Sequence, residues 1–295
     1  MVAYREIISI VQVSFYAPAI LGGIFLAFRH GFAKSSGWVL LITFSLLRLV
    51  GAVLEIVAIS NPTKQVVTGA MVCTSIGLSP LTLMCLGLMD RVNHQVGDPI
   101  PRKVNIAVNL LGLVALFLGI HGGSQQANSA NAADYMDVNN ESKIACLMFT
   151  GIFIIALLIF LVLIGQLSIV PAGEKRLLLA VGLAAPFLAV RYIYALLADF
   201  AQNKNFNSYF GNPTIYLLMA VLAEIGVVVI IESIGFTLRV LRKHEKLSSS
   251  DMEMPGRMSI GARDSFAYEE DVPLHKGLAG PAGPPKTGYR ESLRY

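Results

Sequence analysis

Five ionisable residues fall inside long apolar runs of this chain: Arg48 and Glu55 in 38–59, Arg191 in 177–198, and Glu224 and Glu232 in 213–234. At the centre of a bilayer such a side chain costs at least about 2.5–3.5 kcal/mol on insertion scales, so it turns towards other helices, pairs, or lines a water-filled site. By a helical rise of about 1.5 Å per residue, Arg48 and Glu224 sit near the middle of their runs, with Arg191 displaced towards the outer side. Arg48 and Glu55 share one helix face roughly 10 Å apart, too far for a direct bond, so each needs a partner on another helix. The expected pairing is Glu224 with Arg48 or Arg191 across the bundle, and Glu55 with the other arginine or with a ligand. Two uses fit such a network. One is an ion pair that sets helix register; the other is a site for a substrate or a proton. Asp90, Arg91, Asp199 and Glu232 read as helix-end charges.

The elements that position these residues follow from composition. The chain is 55% hydrophobic and 14% charged, with a mean hydropathy of +0.63. Soluble domains carry about 25% charged residues, so lipid is the expected solvent. Seven apolar runs are present: 7–28, 38–59, 67–89, 104–120, 144–166, 177–198 and 213–234. Each reaches the length that crosses a bilayer core, roughly 17–25 residues. The fourth is the shortest, and a tilted or re-entrant segment is the alternative there. Isolated spans in lipid must satisfy their backbone internally, which predicts an all-α bundle of seven transmembrane helices. The first run is longer than the core of a secretory signal and lacks a small-x-small cleavage site, so it reads as a retained helix. Pro18, Pro80 and Pro186 lie inside spans and predict kinks. Gly69, Cys73 and Gly77 form a small-residue stripe for close helix contact. The expected organisation is a seven-helix domain over 1–238 and a cytoplasmic tail over 239–295.

Orientation follows from Lys and Arg in the short loops. Arg29 and Lys34, then Arg91, Arg102 and Lys103, then Lys175 and Arg176, then Arg239, Arg242, Lys243 and Lys246 mark one face. Arg5, Lys64, Lys143 and Lys204 are the sparse counterparts on the other. With seven crossings the N-terminus is exoplasmic and the C-terminus cytoplasmic. The fourth loop carries one glycosylation triplet, Asn140-Glu141-Ser142, on the exoplasmic side. The last stretch is rich in Ser, Gly, Pro and mixed charge and cannot bury enough apolar surface to order itself, so it reads as disordered. Its opening basic cluster suits anionic lipid headgroups, and Ser259, Ser265 and Ser292 sit in Arg-x-Ser triplets.

Several function classes fail on their residues. Asn212-Pro213-Thr214-Ile215-Tyr216 has the letters of a receptor motif at the wrong end of its span, and Asp90-Arg91 alone is ordinary for a helix end. The seventh span has no lysine for a retinal Schiff base. The five histidines, His30, His94, His121, His244 and His275, lie in loops, at helix ends or in the tail, not within helices where a zinc hydrolase needs them. His121-Gly122-Gly123-Ser124 lacks a companion Gly-x-Ser-x-Gly turn. Cys73, Cys85 and Cys146 form no CxxC pair. No basic stripe suits nucleic acid. No metal, cofactor or catalytic residue is expected, and the chain is read as a non-enzyme. Spans two and six each carry an arginine followed by an acid, Arg48 with Glu55 and Arg191 with Asp199, as a parallel repeat would.

Ordered motifs run through these spans: Arg29-His30-Gly31-Phe32, Ser35-Ser36-Gly37-Trp38, Leu47-Arg48-Leu49-Val50-Gly51-Ala52, Gly77-Leu78-Ser79-Pro80-Leu81, Gly173-Glu174-Lys175-Arg176, Val190-Arg191-Tyr192, and Tyr216-Leu217-Leu218-Met219-Ala220-Val221 before Glu224. The set, in this order, resembles a fungal family of seven-span membrane proteins whose shared region is known only as a domain of unknown function. The resemblance covers roughly residues 4–240. It implies a fungal source and a membrane location, and it supplies no reaction or ligand. The reading that follows is a multi-pass protein of the plasma membrane or another secretory-pathway membrane. Its partner is the lipid bilayer, and it carries a small molecule or a lipid through a buried charged site. The alternative is a seven-helix receptor or sensor signalling through its cytoplasmic loops and a partner of the tail.

Overall fold

A computed structural model describes residues 2–30, 36–128, 138–201, 203–207 and 211–238. The chain divides into two units, residues 1–240 and 241–295. The second unit lies outside the described residues, and so do the expected disorder of the tail, the basic cluster from Arg239 to Lys246 and the three tail serines. Also outside are residues 31–35 and 129–137.

Among the described residues the first unit is entirely helical. Its elements are α1 (Val2–His30), α2 (Ser36–Ser60), α3 (Lys64–Ile76), α4 (Leu78–Val96), α5 (Arg102–Asn128), α6 (Asn140–Gly165), α7 (Ala172–Phe200), α8 (Pro213–Tyr216) and α9 (Leu222–Thr237). α3 with α4, and α8 with α9, each make one span, so 7 helices are long and apolar enough to cross a membrane. The protein is therefore membrane-embedded. The fourth span, expected to be the shortest, extends over Arg102–Gln125, which is ample for a crossing. It is the least enclosed of the seven, and the third is the most enclosed. The centre of the bundle is built from Tyr16, Trp38, Leu41, Phe44, Leu81, Met84 and Leu88, all fully buried. Apolar residues such as Leu21, Phe28, Leu110, Phe117, Leu158 and Leu161 cover the outside, as a lipid-facing surface requires.

Two spans are interrupted. The third breaks between Ile76 and Leu78, although Gly77 keeps helical angles (φ −55°, ψ −28°). Pro80 has no N–H to give the Ile76 carbonyl four residues back, which accounts for the break. In the seventh, residues Leu217–Val221 form a π-helical turn, and the Leu222 N–H donates to the Leu217 carbonyl five residues back. The small-residue stripe of the third span faces α2. Leu54 packs on Gly69, and Cys73 packs on Gly51, where an added Cβ would stand 3.1 Å from the Cys73 Cβ.

Cations secure the last helix. Arg29 donates to the Phe236 carbonyl at 3.0 Å, and Arg176 donates to the Thr237 carbonyl at 3.2 Å. His30 Nε2 lies 3.4 Å from the Gly235 carbonyl oxygen. The Phe236 and Thr237 carbonyls are ones that a helix C-terminus leaves unbonded, and the positive charge of Arg29 and Arg176 there complements the helix dipole, whereas the Gly235 carbonyl already accepts from the Leu238 N–H at 3.2 Å.

Candidate functional site

The expected pairing is half of what the fold makes. Glu224 does not choose between the arginines: one of its oxygens, Oε1, accepts from both. Arg191 Nε donates to it at 2.7 Å, and Arg48 Nη2 donates to the same atom. Arg48, Arg191 and Glu224 are 3%, 5% and 2% exposed, so this is a desolvated triad of two cations and one anion. Each guanidinium also lies near an aromatic ring, Arg48 at 5.7 Å from the Phe44 centroid and Arg191 at 5.6 Å from that of Tyr194. Such rings attract a cation through their negative faces.

Both span interruptions border the triad. Gly77 abuts the Arg48 guanidinium so closely that an added Cβ would stand 2.7 Å from Arg48 Cζ. The π turn ends at Val221, less than one helical turn before Glu224. Its extra residue per turn rotates the following helix, which sets the azimuth at which Glu224 leaves α9. Arg48 Nε and the Oη of Tyr16, which lies within electrostatic range of Arg48 and Glu224, are buried without a hydrogen-bond partner, as are Ser45 Oγ three residues before Arg48 in α2 and Gln12 Nε2 four residues before Tyr16 in α1. Tyr16 and Tyr216 are within electrostatic range of Arg48.

Glu55 takes neither arginine of the triad as a hydrogen-bond partner, although Arg48 and Arg5 lie within electrostatic range of it. Ser9 Oγ donates to its Oε2 at 2.6 Å. The two-turn rise from Arg48 puts Glu55 level with the start of α1, where Ser9 stands, while both guanidinium groups are held by Glu224. Glu55 lines a cavity of about 180 Å³ with Arg5, Ser9 and Val67, between α1, α2 and α3. A second cavity, about 110 Å³, lies between α5, α6 and α7. Arg191, Tyr194 and Asp199 line it from α7, Ser142 and Cys146 from α6, and Thr74 from α3. Asp199 is thus a cavity residue and not only a helix-end charge. Arg191 belongs to both the triad and this cavity. Since successive spans alternate in direction, both cavities lie at the end of the bundle that carries the N-terminus.

The family model described as Domain of unknown function (DUF7702) matches residues 2–241. The chain belongs to this family. No curated protein and no solved structure matches it. The matched region of this DUF7702 member holds the triad, both span interruptions and both cavities, and it ends where the tail begins.

The remaining predicted residues fall elsewhere. Glu232, read as a helix-end charge, lies in the last two turns of α9 and faces α1, where a Cβ on Gly22 would stand 3.2 Å from its Oε2. Its Oε1 is buried without a hydrogen-bond partner. Arg91 pairs with Glu174, Nη2 to Oε1 at 2.7 Å and Nε to the same atom at 3.2 Å. Glu174 is only 2% exposed. Sequence reading missed it because an acid in the first turn of a helix is ordinary. Asp90 accepts from Asn105 Nδ2 across the α4–α5 corner. Asn140 is the exposed first residue of α6, preceded by the cap Asn139, whose Oδ1 accepts from the Glu141 N–H at 3.4 Å. Its triplet partner Ser142 packs against Gly122.

Proposed function

We propose that this DUF7702 protein is a non-enzymatic membrane carrier of a small polar molecule, with its solute site at the Arg48–Glu224–Arg191 triad. The observation that carries this reading is the convergence of two interrupted spans on one mid-bundle charge cluster. Secondary carriers build their sites in this way, since a broken helix at mid-depth frees backbone groups for a solute and provides a joint for movement. Pro186 lies one and a half turns before Arg191 in α7, so a third helix weakened by proline reaches the same level. A solute that competes for Arg191 loosens the seventh span from the second and sixth. We place the N-terminus outside and the tail in the cytoplasm on the loop cations, so both cavities open outward in this state.

One observation favours the receptor or sensor reading: both cavities lie at a single end of the bundle. Substituted-cysteine accessibility decides between the two. In a background lacking Cys73, Cys85 and Cys146, Ala195→Cys should react with a membrane-impermeant thiol reagent from the N-terminal side. Ser45→Cys, on the far side of the triad, should react from the opposite side in a carrier. If Ser45→Cys reacts from neither side while Ala195→Cys does react, the carrier reading fails and the receptor reading replaces it.

A further inference from the structure

Glu232 is the acid of the seventh span that the triad does not use. Its carboxyl lies over Gly22 of α1, where an added Cβ would stand 3.2 Å from Oε2 and 3.3 Å from both Oε1 and Cδ. The absent side chain at Gly22 is what leaves room for it on the seam between α1 and α9. Oε1 is buried, and Glu232 has neither a hydrogen bond nor an ion pair among the described residues. The seam is apolar on both sides of the carboxyl. One turn before it, Val228 is fully buried. Beyond it, Leu26 packs on Gly235, where an added Cβ would stand 2.9 Å from Leu26 Cδ1, and the Phe25 and Phe236 ring centroids lie 5.9 Å apart. The charged groups at this end of the packed helices are engaged elsewhere. On α1, Arg29 donates to the Phe236 carbonyl and His30 lies at the Gly235 carbonyl. On α7, Arg176 donates to the Thr237 carbonyl, Glu174 is held by Arg91, and Lys175 is exposed. The contact from α2 is Trp38 against Gly235, and on α9 itself Glu224 is taken by two arginines. A carboxylate without a cation or a donor is costly to hold in hydrocarbon, whereas the uncharged acid is tolerated.

We infer that Glu232 is a proton-binding site of the carrier, holding one proton as the neutral acid while α9 rests on α1 and giving it to water when the two helices part. This rests on the carrier reading and names its coupling ion. Glu224 and Glu232 stand on the same helix, so a solute that draws Arg191 from Glu224 frees the element that carries both acids. Glu232 is five positions before Thr237, the last residue of α9. That is roughly 7.5 Å of rise, so a small opening of the seam brings water to it from that end. On opening, the Glu232 O–H bond breaks, the proton passes to water, and the carboxylate is hydrated. On closing, the carboxylate takes one proton from water before Leu26, Phe25 and Phe236 seal the seam again.

The test is labelling of the full-length protein in membranes by dicyclohexylcarbodiimide, an apolar reagent that adds to a protonated carboxyl and leaves a stable N-acylurea, located by peptide mass spectrometry. Glu232 should be labelled, and Glu55, Glu174 and Glu224, each held by a donor, should not. A water-soluble carbodiimide should label Glu232 several-fold more slowly. Glu232 left unlabelled, or labelled as fast by the water-soluble reagent, overturns the proton site. This arm uses the unaltered chain and stands whether or not any variant folds. The role in transport is read from Ser45→Cys in the cysteine-free background. Glu232→Gln, whose amide keeps the shape of the neutral acid and cannot ionise, should slow the far-side reaction of Ser45→Cys several-fold at one fixed pH. Equal rates overturn the coupling role and leave the proton site standing. Labelling of Glu232 with no far-side reaction in either background overturns the carrier reading, and with it the coupling, but not the proton site.

Discussion

The Arg48 guanidinium fills the space that a side chain at Gly77 would need. An ideal Cβ on Gly77 stands 2.7 Å from Arg48 Cζ and 2.9 Å from its Nε. Gly77→Ala must push the guanidinium off Glu224, which uncouples a buried ion pair as well as crowding the helices. We expect a loss of about 3 kcal/mol or more in stability, on the scale of breaking a buried pair. Gly69→Ala, which meets only the flexible end of Leu54, should cost less than half of that. Thermal or chemical denaturation in detergent, with the two variants side by side, checks the ranking.

Glu224→Gln removes the carboxylate that both buried arginines share in the triad. Two desolvated cations would then face each other across a neutral amide, at a cost of about 3–5 kcal/mol. Glu55 is partly exposed beside a cavity and is held by a serine. Glu55→Gln should therefore cost about 1 kcal/mol. Equal melting temperatures for the two variants would refute the central place of Glu224.

Arg91 and Glu174 tie the end of the third span to the start of the sixth. Glu174 is buried and accepts two bonds from one guanidinium. A double-mutant cycle with Arg91→Ala and Glu174→Ala should return a coupling of about 1–3 kcal/mol. An exposed pair such as His94 with Asp98 should couple more weakly, by about 0.5 kcal/mol or less.

Arg29 at the end of α1 and Arg176 near the start of α7 hold the last carbonyls of α9 from two different helices. Replacing either by alanine should release the end of that helix at about 0.5–1 kcal/mol each. Amide hydrogen exchange is the measurement: protection should fall over 232–238 and stay constant around Glu224. A uniform loss of protection along α9 would contradict a local capping role.

Much of this protein is written in one dimension. Length and apolarity alone bring out seven crossings, because a helix in lipid must carry its own backbone bonds and its length is set by the bilayer. The cost of charge in hydrocarbon singled out Arg48, Arg191 and Glu224, and it holds at each position without knowledge of neighbours. Pro80 announced a defect in the third span for the same reason: a missing N–H is a property of one residue.

Partner choice was decided only by the tertiary structure. That one oxygen of Glu224 serves both arginines, that Glu55 turns to Ser9, that Glu174 is the acid for Arg91, and that Asp199 and Arg191 bound one cavity all depend on azimuth and tilt. A π turn over Leu217–Val221 changes azimuth without leaving a mark in hydrophobic periodicity, so no reading of spacing finds it. Depth along a helix follows from counting residues; direction around it, and therefore who meets whom, follows from how seven helices pack.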